Sequence, residues 1–425
     1  MNYSEFPPEE TWEKLLKRPS SENTAVEQDV ISILHAIRAR GDAALLEFTE
    51  RFDGVKLDSM LVSEDEIAAS ETQTSFELRE AILLAKNNIE WFHNSQHIGV
   101  MKVETMPGVN CWRKSIPVER VGLYIPGGSA PLFSTILMLA VPAKLAGCKE
   151  IVLCTPPSKD GSVHPAILYA AKVCGVTRIF KAGGAQAIAA MAYGTATIPR
   201  AYKIFGPGNP WVTAAKQLLT REGIAIDLPA GPSELAVFAD TSVAPAFIAA
   251  DLLSQAEHGP DSQVLLVSCS RALIDHVRIE LEKQLEQLPR KLIAEKAIRH
   301  SHFIVVKDEE TAMQLLNAYA PEHLILACEN AELLADKVVN AGSVFLGAWS
   351  PESVGDYASG TNHTLPTNGF AKAWSGVSLD SFMKKVTFQQ LTEDGLKRIG
   401  PSVETMAEAE GLFAHKNAVA VRLKK

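Results

Sequence analysis

A glutamate and a histidine stand side by side directly before an apolar run, in the segment APEHLIL from Ala320 to Leu326. The run HLILA is typical of a short buried strand, so Glu322 and His323 should lie where that strand begins. Both side chains can accept and release protons. The pair therefore indicates general acid–base chemistry, although a structural ion pair with a capping histidine is the alternative.

The segment SQAEHGPDSQ carries Gln255 and His258 three residues apart, at the end of a predicted helix. This spacing puts both side chains on one helix face, where they could bind a common ion. The alternative is an ordinary helix end, in which His258 complements the helix dipole before Gly259 and Pro260 stop the helix. A metal site would need further ligands from elsewhere in the chain.

Two later segments offer such ligands. A loop rich in Gly, Ser, Asn and Thr supplies Asp356 and His363, and the segment AEAEGLFAHKNAV supplies Glu410 and His415. An Asx turn or an exposed helix turn would equally explain these residues. Together with the helix pair they give mixed oxygen and nitrogen ligands, which suit Zn²⁺ and related ions, although glutamine is an uncommon zinc ligand. The candidate set is Gln255, His258, Asp356 and His415.

Three Gly-rich segments each follow a predicted strand and precede a predicted helix: VGLYIPGGSAP, KAGGAQAIAA and FGPGNPW. Ligands bind at this edge of open α/β sheets, and backbone amides at a helix start suit phosphate. None of the three is a GxGxxG, so the common dinucleotide fingerprint is missing. Each alone could be a tight turn, but three on one sheet favour a shared binding edge.

The chain has 425 residues, of which 47% are apolar and 21% charged, with a net charge of −9 and six scattered cysteines. This length favours more than one domain, and the negative charge argues against a nucleic-acid partner. The acidic N-terminus has no apolar h-region, so we expect no secretory signal, and the longest apolar run is too short to span a membrane. The cysteine spacing fits neither a zinc finger nor a disulfide framework. We expect a cytoplasmic enzyme.

The elements that must position these residues follow a regular pattern. Helical periodicity covers 27–52 and 75–92, and short apolar runs then alternate with helical segments over 121–227 and 234–347. Such alternation is typical of parallel sheets covered on both faces. The sequence predicts an α/β fold of two doubly wound, Rossmann-like parallel-sheet domains, with an N-terminal helical segment and a C-terminal helical tail. The N-terminal helices are expected to pack on the second unit.

Eight segments, in this order along the chain, resemble the histidinol dehydrogenase family. They are YIPGGSAPLFST, GGAQAIAAMAYGT, FGPGNPWV, AGPSE, SQAEHGPDSQ, APEHL, VGDYASGTNHTLPT and AHKNAV. The similarity runs over nearly the whole chain, and eight blocks in register are far more specific than any one of them. The resemblance implies the oxidation of L-histidinol to L-histidine, the end of histidine biosynthesis, with Zn²⁺ and two molecules of NAD⁺.

The resemblance also implies a role for each motif residue. The catalytic acid–base pair is expected to be Glu322 and His323. The zinc ligands are expected to be Gln255, His258, Asp356 and His415. The substrate is expected to contact these ligands together with Ser233, His323 and Glu410. The residues expected to contact NAD are Tyr124, Gln186 and Asn209.

An assembly is implied as well. The family is an intertwined homodimer whose C-terminal tail brings Glu410 and His415 to the partner's site, and it binds NAD on an incomplete Rossmann-like domain. That domain fits the missing GxGxxG. The expected division is an N-terminal segment (1–24), a catalytic α/β domain (25–120 with 233–375), the NAD-binding domain (121–232) and the tail (376–425).

In the implied mechanism, His323 removes the hydroxyl proton as hydride leaves, and Glu322, its pKa raised by partial burial, activates the water that adds to the aldehyde. Zn²⁺ mainly orients the substrate. Three alternatives stay open: a related zinc- and NAD-dependent dehydrogenase of another polar alcohol, a zinc hydrolase, and a binding protein without activity. Glu410 favours a cationic amino alcohol, and the Gly-rich strand ends disfavour a hydrolase.

Overall fold

The computed structural model describes residues 1–19, 24–127, 131–228 and 231–424. Two parallel sheets and one antiparallel sheet form its framework. The strands are β1 (Asn2–Glu5), β2 (Lys102–Met106), β3 (Val109–Pro117), β4 (Arg120–Tyr124), β5 (Glu150–Thr155), β6 (Arg178–Lys181), β7 (Lys203–Phe205), β8 (Ala225–Ile226), β9 (Glu234–Ala239), β10 (Gln263–Ser268), β11 (His302–Val305), β12 (His323–Ala327), β13 (Ser343–Leu346) and β14 (Met383–Leu391).

Helices cover both faces of each parallel sheet. The α-helices are α1 (Trp12–Leu15), α2 (Thr24–Arg40), α3 (Asp42–Asp53), α4 (Glu64–Gln73), α5 (Phe76–Asn94), α6 (Phe133–Ala146), α7 (Pro165–Cys174), α8 (Gly184–Tyr193), α9 (Pro210–Thr220), α10 (Pro245–Ala256), α11 (Arg271–Leu285), α12 (Lys291–Arg299), α13 (Glu309–Tyr319), α14 (Ala331–Ala335), α15 (Glu352–Tyr357), α16 (Glu393–Ala409) and α17 (Phe413–Leu423). None of the helices in the described ranges is both long enough and apolar enough to cross a bilayer.

The first parallel sheet has the strand order β6-β5-β4-β7-β8. Strand β5 shows how it is covered, because alternate side chains of a strand point to opposite faces. Ile151 and Leu153 pack in one core with α6 and α7, while Val152 and Cys154 pack in another with α8 and α9. The sheet is therefore doubly wound, as the sequence pattern predicts.

The N-terminal helices pack on this first unit. Helix α2 lies against α8 and α9, α5 lies against α6, and α4 lies against α7. The expectation that they pack on the second unit is therefore wrong. The physical reason is visible in α6, whose residues from Ser134 to Ala143 are all buried. A helix that is apolar on every side must be covered on its outer face too, and α5 supplies that cover.

The second parallel sheet has the strand order β1-β11-β10-β9-β12-β13. Strands β9, β10 and β12 are buried along their whole length, which agrees with the apolar runs in the sequence. Helices α10, α11 and α12 cover one face, and α13 and α14 cover the other. The edge strand β1 was not predicted, because its residues are mostly exposed and polar.

The C-terminal tail begins with a strand and not with a helix. Strand β14 pairs with β3 over nine residues in an antiparallel sheet that β2 completes. Helices α16 and α17 then pack on each other, and none of the residues of α17 is buried. The predicted helical tail is therefore present from α16 onward and projects from this small sheet.

A close backbone approach ties β13 to the start of β12. The Ser343 N–H donates to the carbonyl oxygen of Glu322 at 2.9 Å, and a Cβ atom on the preceding residue, Gly342, would lie 2.5 Å from that oxygen. Such a contact must displace the backbone. We expect Gly342→Ala to lower the free energy of unfolding by about 1–3 kcal/mol, measured by urea denaturation. Gly99→Ala, where nothing lies within 4 Å, is the control, and equal stabilities would contradict the close approach.

Candidate active site

The predicted acid–base pair lies at the amino edge of the second sheet. His323 is the first residue of β12, and β12 pairs in parallel with β9. Helix α10 connects β9 to β10, so it must run back and end at this same edge, where it delivers Gln255. Helix α15 follows β13 and delivers Asp356. Four elements therefore converge on one point.

Glu322 is a buried carboxyl group held by one backbone amide. Its Oε2 accepts a hydrogen bond from the Glu234 N–H at 2.9 Å and lies 3.6 Å from His323 Nδ1. Burial raises the pKa of Glu322 to about 8, against the opposing attraction of His323. The direction is the one expected from the sequence. A carboxyl group with this pKa can exchange a proton near neutral pH.

Glu234 is itself fixed by a buried ion pair. Arg18 donates to its two carboxylate oxygens from Nε at 2.5 Å and from Nη2 at 2.8 Å, and Nη2 also donates to the Tyr319 carbonyl oxygen at 2.7 Å. The guanidinium stacks over the Tyr319 ring. This bidentate pair anchors the backbone that holds Glu322, and its arginine comes from the N-terminal segment.

His323 lies between carboxylates. Its Nδ1 is 2.8 Å from Gln255 Nε2 and its Nε2 is 3.3 Å from Asp356 Oδ1. Burial alone would lower its pKa, but the charges of Glu322 and Asp356 outweigh burial and raise the pKa to about 10. Among these carboxylates the imidazole carries a proton at neutral pH. This proton is held by the charges around the ring, those of its chain neighbour Glu322 and of Asp356 and Glu352 on α15.

Glu352 is a site residue that the sequence pattern missed. It is 1% exposed, its Oε2 accepts from Ser254 Oγ at 2.6 Å, and its Oε1 accepts from Gln255 Nε2 at 3.3 Å. Burial, together with the charge of Asp356, raises its pKa to about 8. Glu352 and Asp356 are four residues apart, which places both on one face of a helix. That signal went unused because this segment was predicted to be a loop.

The cluster has the features of a cation site. Ligand atoms of His323, Glu352 and Asp356 lie within 4.8 Å of one another, and Gln255 Oε1 is hydrogen-bonded to His258 Nδ1. His323 Nε2 and Asp356 Oδ1 are buried without a hydrogen-bond partner of good geometry. Buried polar atoms normally have hydrogen-bond partners, so unpaired ones beside several carboxylates are typical of a site that binds a divalent ion.

The structure brings some of the predicted site residues together and leaves others apart. Ser233 directly precedes β9 at the same edge, and its carbonyl oxygen accepts from the Gln263 N–H at 3.1 Å. Glu410 ends α16 and His415 lies on α17, and both are exposed. Within the described ranges neither of these two side chains makes a hydrogen bond or an ion pair. A single chain therefore does not join them to the other candidates.

The three residues predicted to contact NAD line one cleft of about 1110 Å³ at the carboxyl edge of the first sheet. Tyr124 Oη accepts from the Gly184 N–H at 3.0 Å, where α8 begins. Asn209 caps α9, with Oδ1 accepting from the Val212 N–H at 3.1 Å. Gln186 lies in the first turn of α8. Residues 128–130 of the first Gly-rich segment and Ala230 of AGPSE lie outside the described residues.

A buried ion pair holds the loop that ends at Asn209. Asp227 Oδ2 accepts from the Gly206 N–H at 2.8 Å, and Lys216 Nζ donates to the Gly206 carbonyl oxygen at 2.9 Å while pairing with Asp227. Gly206 has φ +125°, and a Cβ atom there would lie 2.0 Å from the Tyr124 carbonyl oxygen. Only glycine fits this crossing of two cleft segments.

The opposite wall of the cleft contains α3, which the sequence pattern did not place there. Asp53, the last residue of α3, lines the cleft, and burial raises its pKa to about 6. It was missed because the N-terminal helices were expected on the other unit.

The raised pKa values predict that the metal-free protein loses stability as the pH rises. The pKa of Glu322 is raised from 4.5 to about 8 and that of His323 from 6.5 to about 10. Between these values the folded chain keeps protons that the unfolded chain has released, so the free energy of unfolding falls with rising pH. The melting temperature in EDTA should decline between about pH 5 and pH 10.

Glu322→Gln is the matched variant for this measurement, because it removes one of the raised titrations and should flatten the decline. An unchanged slope would contradict the raised pKa of Glu322. Added Zn²⁺ should also flatten it, since a bound cation takes the place of protons.

Known proteins resemble this chain over its whole length. The histidinol dehydrogenase family model matches residues 16–423. The histidinol dehydrogenase of Bacteroides thetaiotaomicron is 59% identical over 423 residues, covering 100% of this chain and 99% of the relative. That of Xylella fastidiosa strain Temecula1 is 55% identical over 412 residues, 96% of each chain. The crystal structure of histidinol dehydrogenase from Elizabethkingia anophelis has a TM-score of 0.98 at 55% identity and covers 100% of this chain and 98% of that chain. The family and the fold class predicted from the sequence are therefore confirmed, and this chain is an oxidoreductase that belongs to the histidinol dehydrogenase family.

Proposed function

We propose that this chain catalyses the zinc-dependent oxidation of L-histidinol to L-histidine through the aldehyde, with reduction of two NAD⁺. The observation that carries the proposal is the buried Glu322–His323 pair beside a cluster of carboxylates that fits a cation. Membership of the histidinol dehydrogenase family gives the substrate. The cleft lined by Tyr124, Gln186 and Asn209 supports NAD as the hydride acceptor.

The proposed ligands for Zn²⁺ are three residues of one chain and one of a partner subunit. Gln255, His258 and Asp356 lie at the amino edge of the second sheet, and His415 would come from the tail of a second copy. When bound, Zn²⁺ supplies orientation of the substrate's imidazole and amine nitrogens and a positive charge beside Asp356. Ser233 and Glu410 would contact the substrate, with the Glu410 carboxylate facing its cationic part.

In the first oxidation, His323 accepts the proton of the substrate hydroxyl while hydride passes from the same carbon to NAD⁺. The products are the aldehyde and NADH. This role needs an unprotonated imidazole, and the charge of Asp356 is one of the causes of the high pKa of His323. Neutralising that carboxylate would lower the pKa of His323 toward the working range of a general base.

In the second oxidation, Glu322 accepts a proton from the water that adds to the aldehyde, while His323 returns the proton it took in the first step to the aldehyde oxygen. Its raised pKa lets it take up a proton near neutral pH. The hydrogen bond from the Glu234 N–H holds it at the amino end of β12. His323 then accepts a proton from the hydrated aldehyde as the second hydride leaves to a second NAD⁺. The carboxylate of L-histidine and the second NADH result.

Homodimer formation is proposed from the shape of the tail. Helices α16 and α17 project from the small antiparallel sheet, and Met406 and Phe413 on them are 65% and 64% exposed. Apolar side chains on a projecting helical hairpin indicate a surface that another chain covers. For the domains, we propose that 121–232 binds NAD, with α2–α5 packed on it, and that 233–375 carries the catalytic residues.

The yield of NADH per L-histidinol, with limiting substrate and excess NAD⁺, tests the reaction. We expect two NADH per substrate, lost with a strong chelator and restored by Zn²⁺. A yield of one would contradict the role of Glu322 in the second step. No NADH from folded, zinc-loaded protein would reject histidinol and favour a dehydrogenase of another polar alcohol.

Mixing two inactive variants tests the shared site. Glu322→Gln and His415→Asn should each lose about 100-fold or more in kcat. In hybrid dimers one site would carry both changes and the other neither, so co-expression should recover about one quarter of the wild-type activity.

Glu322→Gln with Gln255→Ala is the matched control for the mixing experiment. Both changes lie in the core of one chain, so every hybrid site is damaged and no activity should return. Verified hybrid dimers of the first pair that stay inactive would show that His415 does not act in the partner's site.

A further inference from the structure

The side-chain amide of Gln255 has two different ends, and only its oxygen can bind a metal ion. Its Nε2 lies 3.3 Å from Glu352 Oε1 and 2.8 Å from His323 Nδ1, whereas its Oε1 is hydrogen-bonded to His258 Nδ1. Gln255 is completely buried. In this orientation the oxygen faces the side of the site where His258 lies.

Glu352 decides which way the amide points. In its ionised form, which a bound cation would favour, the Glu352 carboxylate only accepts hydrogen bonds, so it requires the nitrogen of Gln255 to face it. If the amide turned over, Gln255 Oε1 would lie against Glu352 Oε1, and this buried carboxylate oxygen would lack a donor. Ser254 keeps the carboxyl group in place, since its Oγ lies 2.6 Å from Glu352 Oε2. Ser254 and Gln255 are neighbours on α10, so both contacts come from the same end of one helix.

Both carboxylate oxygens of Glu352 are therefore already engaged. Asp356 differs, because its Oδ1 is buried without a hydrogen bond of good geometry and pairs only loosely, at 3.3 Å, with His323 Nε2. The two acidic residues of α15 thus have different surroundings, although both lie in the same cluster. This difference favours Asp356 as a ligand and Glu352 as a residue that acts on a ligand.

We propose that Glu352 is a positioning residue for the metal site. By accepting a hydrogen bond from Gln255 Nε2 it keeps Gln255 Oε1 directed toward His258, and it does not itself bind the metal. The inference rests on the proposed function in one respect, namely that Gln255 is a metal ligand. It adds the residue on which the orientation of that ligand depends.

The affinity of the full-length chain for Zn²⁺, measured by competition with a chromogenic chelator, tests this role without substrate or turnover. Glu352→Ala should weaken binding by about 10–100-fold, the range for residues that orient metal ligands. Glu352→Gln should stay within about threefold of the wild type, because the introduced glutamine still offers an oxygen to Gln255 Nε2. Glu332→Ala removes an exposed carboxylate of α14 and should leave the affinity unchanged.

A double-mutant cycle separates positioning from direct binding. If Glu352 acts through Gln255, adding Glu352→Ala to Gln255→Ala should cause no further loss of affinity. Losses that multiply would make Glu352 an independent ligand and overturn the inference. Wild-type affinity in Glu352→Ala would overturn it too, while leaving the two-NADH reaction intact. Gln255→Ala with unchanged affinity would instead show that the ligand assignment in the proposed function is wrong.

Ser254→Ala gives a second measurement that keeps the carboxylate in the protein, should Glu352→Ala fail to fold in a melting scan in EDTA. Loss of the hydroxyl removes the contact that holds Glu352, so Zn²⁺ binding should weaken by about 3–10-fold in the wild-type background. In the Gln255→Ala background the same change should leave the affinity for Zn²⁺ unchanged. Equal losses in both backgrounds would contradict the proposed path through Gln255.

Discussion

The amino edge of the second sheet must accommodate more buried negative charge than positive charge. Glu234, Glu322, Glu352 and Asp356 meet there, and Arg18 and His323 are the cations that contact them. Burying an unpaired charge is very costly, so the excess must be removed by protons or by another cation. The raised pKa values of Glu322, Glu352 and His323 mean that bound protons can remove part of this charge. A divalent ion is the other means, because it brings two positive charges to the same edge.

This constraint explains why residues far from the chemistry are arranged as they are. Arg18 reaches from the N-terminal segment and pairs with the Glu234 side chain. The backbone N–H of the same residue donates to Glu322. His363, which the candidate ligand set does not include, joins the two units. Its Nδ1 is 2.8 Å from the Asp356 carbonyl oxygen and its Nε2 is 3.2 Å from Thr135 Oγ1 on α6. The segment from Asp356 to His363 is therefore fastened to the unit that carries the cleft of the first sheet.

Much of the sheet framework could be predicted from the sequence, because buried parallel strands are short apolar runs. The segments at 150–154, 234–238 and 323–327 are strands as predicted. Strands β2 and β14 escaped prediction because their residues are largely exposed and polar, so their pairing depends on partners distant in the chain. The packing of the N-terminal helices escaped for a related reason: an amphipathic helix does not reveal which apolar surface it covers.

The site divides in the same way. The spacing of Gln255 and His258 predicts a shared helix face; in the structure α10 ends at Ala256, and His258 in the following turn still reaches the Gln255 side chain. No spacing connects these two residues to Glu322 or Asp356. Only the resemblance to a family joined those segments, and for Glu410 and His415 it remains a prediction. The pKa of His323 could not be predicted, because it depends on its burial and on Asp356 and Glu352, which folding brings from another helix, as well as on its neighbour Glu322.

The two binding edges face opposite ends of their helices, and these ends carry partial charges of opposite sign. Helices α8 and α9 begin at the cleft of the first sheet, so their free N–H groups face whatever binds there. Helix α10 ends at the second site, so its free carbonyl groups face the carboxylate cluster. The macrodipole makes the first edge attractive to anions and the second to cations. A dinucleotide phosphate and an ammonium group or metal ion would thus be drawn to opposite edges of two similar sheets, before any side chain distinguishes between them.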